Sequence, residues 1–285
     1  TGVDHSNVID YWNIASSTGN AVDFGDLTRK RSYIASCSNA SRALSFGGQS
    51  SSPFASGSDI IDYVTIASTG NATDFGDMLS ARNRAACESN GTRAIHGGGT
   101  DGSSNVNTIE YATIATTGNT IDFGDLSVAR ERLSAASNGS RIVFIGGQAG
   151  GYSNTMDYVT GDTTGNAQDF GDLLTPLSNH GATGTGTGDR AIVFGGLASG
   201  SYHNVIQYFP VSTTGNSSDF GDLLGNHAYA SACCNSTKAQ FVGGYNPGDI
   251  DIIQQVTMAT LGNATDYGDL TEAVYSSGAT SGNAS

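Results

Sequence analysis

Pairs of aspartates are the residues of this sequence whose spacing most suggests chemistry. Each pair has the form Asp-x-Gly-Asp, and carboxylates in Gly-rich loops can bind Ca²⁺. A calcium site needs six or more oxygen ligands, whereas each pair supplies two carboxylates. The alternative is structural, because Asp also accepts hydrogen bonds in turns and pairs with basic residues. Since the pair recurs and a specific site is needed only once, we favour the structural role and expect no metal or other cofactor. The pairs are Asp23/Asp26, Asp74/Asp77, Asp122/Asp125, Asp169/Asp172, Asp219/Asp222 and Asp266/Asp269.

Catalytic motifs of familiar spacing are missing from the sequence. Its five histidines are scattered without a shared spacing, and it contains no nucleophile elbow and no phosphate-binding GxxxxGK[ST] loop. We therefore expect a protein that is not an enzyme.

Charge and hydropathy exclude further classes of function. A net charge of −14 with only 12 Lys and Arg argues against binding to nucleic acid or anionic lipid. No apolar run approaches the ~18 residues of a membrane helix, so membrane insertion is not expected. The four cysteines do not form a disulfide framework and are interpreted as buried residues.

A repeated phrase determines the architecture. Thr-Gly-Asn-x-x-Asp-Phe-Gly-Asp recurs at intervals of 47 to 51 residues, which is the size of a propeller blade. Within one unit the pattern predicts four short strands joined by Asn- and Gly-rich turns. Examples of the first, second, third and fourth strands, in that order, are residues 133–137, 141–145, 108–114 and 121–123. Four antiparallel strands repeated radially are typical of a propeller. The glycine that follows the aromatic of the phrase is residue 25, 76, 124, 171, 221 or 268.

The doublet and aromatic pattern resembles the kelch repeat. A Gly-Gly pair follows an apolar strand, as at Gly146-Gly147, and a Tyr such as Tyr158 follows about eleven residues later. The amino-acid sequence of residues 66–77 is similar to repeats in virion proteins of marine bacteriophages. The resemblance implies an all-β, six-bladed kelch-like β-propeller of four-stranded antiparallel blades, with seven blades as the alternative. It also implies a structural or binding role in a virion, and hence a virion or extracellular location.

The ends of the chain are expected to meet in one blade. We predict a single propeller domain over 1–285, with six repeats of about 49 residues and one blade shared between the termini. Joined head to tail, the units lack only the seven residues equivalent to 141–147. Either a terminal extension supplies that strand, which we favour for a six-bladed ring, or the chain is a slice of a longer repeat array.

Basic residues also fall into columns along the repeats. One column opens the second strands and another lies five residues after the second Asp in four of the six pairs. We predict that both columns neutralise the repeated aspartates. The first column is Arg42, Arg93, Arg141, Arg190 and Lys238, and the second is Arg31, Arg82, Arg130 and His227.

Variable loops between the second and third strands are the expected binding surface. Loops on a rigid scaffold commonly carry function, and these contain aromatic and small polar residues. We predict a non-catalytic adhesion module, a phage tail or fibre protein whose partner is another virion subunit or a host receptor or glycan, and which can form a homo-oligomer through the larger assembly. A purely architectural subunit and a carbohydrate-active enzyme are the alternatives. The candidate ligand-binding residues are Phe54, Tyr152, Tyr202, His203 and Tyr245.

Overall fold

The computed structural model describes residues 5–50, 57–184 and 189–281, which fold as an all-β propeller. Consecutive strands pair antiparallel within each sheet, and the first strands of neighbouring sheets contact one another around the central axis. The described residues contain no helix. The four-stranded sheets are β3 (Ala35–Ser38), β4 (Arg42–Phe46), β5 (Ser58–Thr65) and β6 (Thr73–Arg82); β7 (Ala86–Ser89), β8 (Arg93–Gly97), β9 (Thr108–Thr113) and β10 (Ile121–Asp125); β11 (Ser134–Ser137), β12 (Arg141–Ile145), β13 (Thr155–Thr160) and β14 (Gln168–Asp172); β15 (Gly181–Gly184), β16 (Arg190–Ala198), β17 (Ser201–Pro210) and β18 (Ser218–His227); and β19 (Ser231–Cys234), β20 (Lys238–Val242), β21 (Ile250–Thr257) and β22 (Thr265–Val274).

A sixth sheet differs from these five. It contains two paired strands, β1 (Ser6–Tyr11) and β2 (Val22–Arg31), where the repeat pattern predicts four. Residues 277–281 lie between the first strands β19 and β3. The Ser231 hydroxyl donates to the carbonyl of Ser277 (2.6 Å), and the Ser38 hydroxyl donates to the carbonyl of Ser281 (2.7 Å). The described chain therefore has five four-stranded blades and one two-stranded sheet, rather than six or seven four-stranded blades.

Local sequence explains the regularity of the blades. In the turn between β11 and β12, the side-chain oxygen of Asn138 accepts hydrogen bonds from the backbone N–H groups of Ser140 and Arg141, at 3.1 and 2.9 Å. Gly139 in that turn has a φ of +82°, a conformation that costs glycine little. The turn sets the register in which Ser134 lies opposite Ile145.

Aromatic residues fill the space within and between blades. Phe123 is 2% exposed, and its ring meets that of Tyr111 edge to face at 5.9 Å, a favourable aromatic geometry. The same Tyr–Phe pair occurs in the sheets that contain Phe24, Phe75, Phe170 and Phe220. Each of these phenylalanines therefore packs against the tyrosine of the neighbouring third strand.

The repeated phrase joins neighbouring sheets through an arrangement that we name the latch. The backbone N–H of Gly118 donates to the carbonyl of Phe75 (2.8 Å), and the side-chain oxygen of Asn119 accepts from the N–H of Asp77 (3.0 Å). Gly76, with φ +147°, leaves room for this turn, since a Cβ there would lie 2.5 Å from the backbone of Gly118. The described residues form six latches, which connect Gly19 to Tyr267, Gly70 to Phe24, Gly118 to Phe75, Gly165 to Phe123, Gly215 to Phe170 and Gly262 to Phe220.

The arginines after the aspartate pairs make buried ion pairs. Arg31 lies 2.5 Å from Asp62, Arg130 lies 3.0 Å from Asp157, and Arg82 pairs with Glu110. Their acids come from the third strand of the next blade and are almost completely buried. The prediction that these arginines neutralise the Asp-x-Gly-Asp carboxylates is therefore wrong. Those carboxylates lie towards solvent, while the backbone of the motif forms the latch.

The arginines that open the second strands have a different role. The guanidinium of Arg141 lies 4.6 Å from the ring centre of Tyr158 and donates to the carbonyl of Ser212 at 2.6 Å. A cation over an aromatic face is attracted by the ring quadrupole. The same stacking occurs for Arg42 on Tyr63, Arg93 on Tyr111 and Arg190 on Tyr208. These arginines therefore stack on tyrosines, and the prediction that they neutralise aspartates is wrong here too.

Candidate functional site

A closed cycle of backbone hydrogen bonds surrounds the axis at one end of the propeller. It is formed by the residues that connect each sheet to the next first strand, and all of them have a positive φ of 52 to 60°. Each N–H donates to the carbonyl of its neighbour in the cycle, at 2.6 to 3.1 Å. The cycle fixes six side chains around one opening, which we name the mouth. Its members are Tyr33, Arg84, Arg132, Asn179, Tyr229 and Ser276.

Tyrosines cluster at the mouth. The ring centre of Tyr275 lies 6.4 Å from that of Tyr33, 6.1 Å from that of Tyr229 and 5.8 Å from that of Tyr245. Tyr245 also lies 6.1 Å from Tyr202, so five rings form one continuous group, which we name the tyrosine cluster. All five residues are half-buried, so that part of each ring reaches solvent.

Charged groups border the tyrosine cluster on one side. The Arg84 guanidinium lies 4.7 Å from the ring centre of Tyr33 and 3.2 Å from a carboxylate oxygen of Glu131. Arg132 lies 3.4 Å from the other carboxylate oxygen. Two arginines thus share one acid, which leaves this side of the mouth with a local excess of positive charge in a strongly acidic protein.

Burial affects the titration of two tyrosines of the cluster. It raises the pKa of Tyr229, and Arg132 opposes part of that increase. It also raises the pKa of Tyr202, to which Tyr245 contributes. The hydroxyl groups of both residues therefore stay protonated at neutral pH and can donate as well as accept hydrogen bonds.

Of the residues predicted from the loops, Tyr202 and Tyr245 belong to the tyrosine cluster. Tyr152 lies beside it, and its hydroxyl accepts a hydrogen bond from the N–H of Gly200 at 3.1 Å. His203 lies opposite His227 in the ladder between β17 and β18 and is half-buried. Phe54 lies outside the described residues. The structure thus brings two of the five together, with a third nearby.

Sequence reasoning missed Tyr33, Tyr229 and Tyr275, because it searched the loops between second and third strands and overlooked the connections between units. A usable signal was present. Tyr33 and Tyr229 each lie eight residues after the repeated glycine, as do Arg84 and Arg132. That position varies widely in residue type although its backbone geometry is constant. Variation on a fixed backbone is expected of a binding surface.

Glu88 is a half-buried acid near the propeller axis, where the first strands contact one another. Burial raises the pKa of Glu88, on the first strand β7, to about 8, although the N–H of Ser89 donates to its carboxylate at 3.1 Å. The four cysteines are buried, as predicted, and the sulfur atoms of Cys37 and Cys87 lie 3.0 Å apart as free thiols. Burial raises the pKa of Cys87, so this thiol is unreactive at neutral pH.

Within the described ranges, no group of three or more His, Cys, Asp or Glu residues is placed to hold a metal ion. The same part of the chain has no helix long and apolar enough to cross a membrane. No protein-family model and no curated protein matches the sequence.

Proposed function

We propose that this protein is a non-catalytic binding module whose ligand contacts the tyrosine cluster. The observation that carries the proposal is the continuous group of five half-exposed rings around the mouth. Tyrosine presents a large, rigid apolar surface together with a polar tip, and it loses little conformational entropy on binding. Two of the five, Tyr33 and Tyr229, belong to the hydrogen-bonded backbone cycle, so part of the cluster is already organised for contact with a partner.

The proposed ligand is a host-surface glycan or the receptor that carries it. Tyrosine hydroxyls, two arginines and Asn179 supply hydrogen-bond donors next to the apolar rings, as a sugar or a polar protein surface requires. The resemblance of the repeats to kelch units and to phage virion repeats supports a tail or fibre protein that acts outside the cell. A purely architectural virion subunit is the second candidate. It is favoured if the mouth contacts only copies of the same chain or other virion proteins.

The proposal includes a ring of six units. The six latches and the six-membered backbone cycle support it, because each connects one unit to the next and the last to the first. In this arrangement β1, β2 and residues 277–281 belong to a sixth blade shared between the two ends of the chain. The side chain of Asp10 supports the same assignment. It accepts a hydrogen bond from the N–H of Thr271 (3.0 Å), as Asp62 does from Thr28 (3.3 Å).

Binding to an array of surface glycans tests the function. We expect the full chain to bind a subset of glycans, and Tyr245→Ala to reduce the affinity at least tenfold, as for a central aromatic contact. Leu261→Ala is the matched control, because Leu261 is 58% exposed in a turn at the opposite end of its blade. Equal binding by both variants would contradict a role for the mouth. Self-association of the purified chain that Tyr245→Ala abolishes, without glycan binding, would favour the architectural subunit.

A further inference from the structure

The two-stranded sheet borders a groove at the place where every other sheet has its second strand. In the five complete sheets, β4, β8, β12, β16 or β20 lies between the first and third strands. Within the described residues no strand occupies the corresponding place between residues 277–281 and β1. A cavity of about 850 Å³ lies there instead, lined by β1, by residues 276–281 and by the flanking sheets.

Several residues that line the groove are partly exposed, whereas their equivalents in the complete blades are buried. Ile9 is partly exposed, whereas the five apolar residues at its position in the other third strands are completely buried. Ala43 and Ser45, which face the groove from β4, are also partly exposed, while the residues at their positions in β8, β12, β16 and β20 are buried. The residues equivalent to Ile9 are Ile61, Ile109, Met156, Ile206 and Ile253.

Tyr11 indicates the charge of a suitable occupant. It is 45% exposed and packs on Phe24 at 5.7 Å, as the other tyrosines pack on their phenylalanines. Its four equivalents each lie beneath an arginine from the first position of the second strand. That arginine also reaches a backbone carbonyl of the next unit, as Arg42 does with Ile114 at 3.0 Å. The equivalent of that residue, Ile66, lines the groove.

The other end of the second strand requires two glycines. In the complete blade β3–β6, Gly47 has φ +57° and Gly48 has φ +93°. A Cβ on Gly47 would lie 2.5 Å from the carbonyl of Arg82, and one on Gly48 would lie 2.7 Å from that of Ser32. The N–H of Gly48 donates to the carbonyl of Arg82 at 2.9 Å. In the groove, Arg31 offers the equivalent carbonyl.

We propose that the groove binds an extended peptide strand that begins with Arg or Lys, continues with four small or apolar residues and ends with Gly-Gly. Such a strand would pair with both walls and extend the sheet, a common mode of peptide recognition. By the register of β12, its first residue would lie opposite Asn13, its third opposite Tyr11 and its fifth between Ile9 and Gly278. The interaction is separate from ligand binding at the mouth.

Fluorescence of the one tryptophan provides the test. Trp12 lines the groove, and its indole N–H donates to the side-chain oxygen of Gln240 at 2.7 Å. We expect the synthetic peptide Arg-Ile-Val-Phe-Ile-Gly-Gly, the sequence of residues 141–147, to change the Trp12 emission of the full chain in a saturable way. It should also raise the melting temperature. Tyr245→Ala should bind the peptide as the parent does, so that failure at the mouth and failure at the groove can be told apart.

Three control peptides define the mode of binding. Replacement of Gly-Gly by Ala-Ala should weaken binding at least tenfold, because both positions need a positive φ. Replacement of the first Arg by Gln should weaken it several-fold through the lost contact with Tyr11. In the variant Tyr11→Leu, the difference between the Arg and Gln peptides should shrink to the contribution of the hydrogen bond to the carbonyl of Ile66, which isolates the contact with Tyr11 as a double-mutant cycle does. Absence of saturable binding, or equal binding of a scrambled peptide, would overturn the proposal.

Discussion

The latch makes a prediction about two glycines of similar backbone conformation. Gly76 and Gly118 have φ values of +147° and +156°. A Cβ on Gly76 would lie 2.5 Å from the backbone of Gly118, whereas a Cβ on Gly118 would meet no atom within 4 Å. Alanine strains the backbone at either position, but only at Gly76 does it also push the two units apart. The substitutions Gly76→Ala and Gly118→Ala therefore separate the latch from the strain.

The expected magnitudes follow from the contacts. Backbone strain of this kind costs about 1–3 kcal/mol. Gly76→Ala also disturbs three hydrogen bonds: Gly118 to Phe75 at 2.8 Å, Thr120 to Asp77 at 2.9 Å, and Asp77 to Asn119 at 3.0 Å. A hydrogen bond contributes about 0.5–1.5 kcal/mol net. We therefore expect Gly76→Ala to lower the free energy of unfolding by about 3–6 kcal/mol, and Gly118→Ala by about 1–3 kcal/mol.

Urea denaturation followed by circular dichroism measures both values. The comparison requires equal denaturant slopes, which show that the same surface is exposed on unfolding. If both variants lost the same stability, the close approach of the backbones would contribute nothing, and the latch would not hold the units together.

Three further substitutions test the interior. Glu88→Gln should stabilise the protein above neutral pH by about 2–4 kcal/mol. The raised pKa makes the parent lose stability as the pH rises from about 4.5 to about 8, and the variant's unfolding free energy should not show that slope. Arg82→Met leaves the Glu110 carboxylate buried without its cation and should cost about 3–5 kcal/mol at pH 7; a thermal transition like that of the parent would contradict the buried pair. Phe123→Ala should cost about 3–5 kcal/mol in urea, and an unchanged midpoint would mean that the ring faces solvent.

The fold was predictable because each local signal agreed with the others. The recurring phrase, the Asn-Gly turns and the alternating third strands all predict four antiparallel strands per unit, and five sheets have them. The role of the phrase was not predictable from one unit. Asn119 and Asp77 meet only when two units pack together, so the predicted structural role was assigned to the Asp carboxylates and not to the backbone of the motif.

The ion-pair partners of the charged residues could not be predicted from the sequence for a similar reason. Arg31 is near the aspartate pair in sequence, yet it enters the next blade and meets Asp62, whose position between apolar residues of a strand gave no hint of an ion pair. The tyrosine cluster was found in part. Tyr202 and Tyr245 lie in segments of changeable length between the second and third strands of the pattern, which are easy to notice, although the structure places Tyr202 on β17. Tyr229 lies in a connection of constant length.

The latches also affect how the protein unfolds. In a linear repeat array the terminal units each lack one neighbour, so such arrays can unravel from their ends. Here the backbone N–H of Gly19, near one end of the chain, donates to the carbonyl of Tyr267, near the other end, at 3.0 Å. The same hydrogen bond joins each internal unit to the next. Among the described residues, every sheet is therefore joined by latches to both of its neighbours, including the two-stranded sheet that borders the groove. Release of any one unit from both of its neighbours requires two latches to break, which favours a single cooperative transition and slow unfolding.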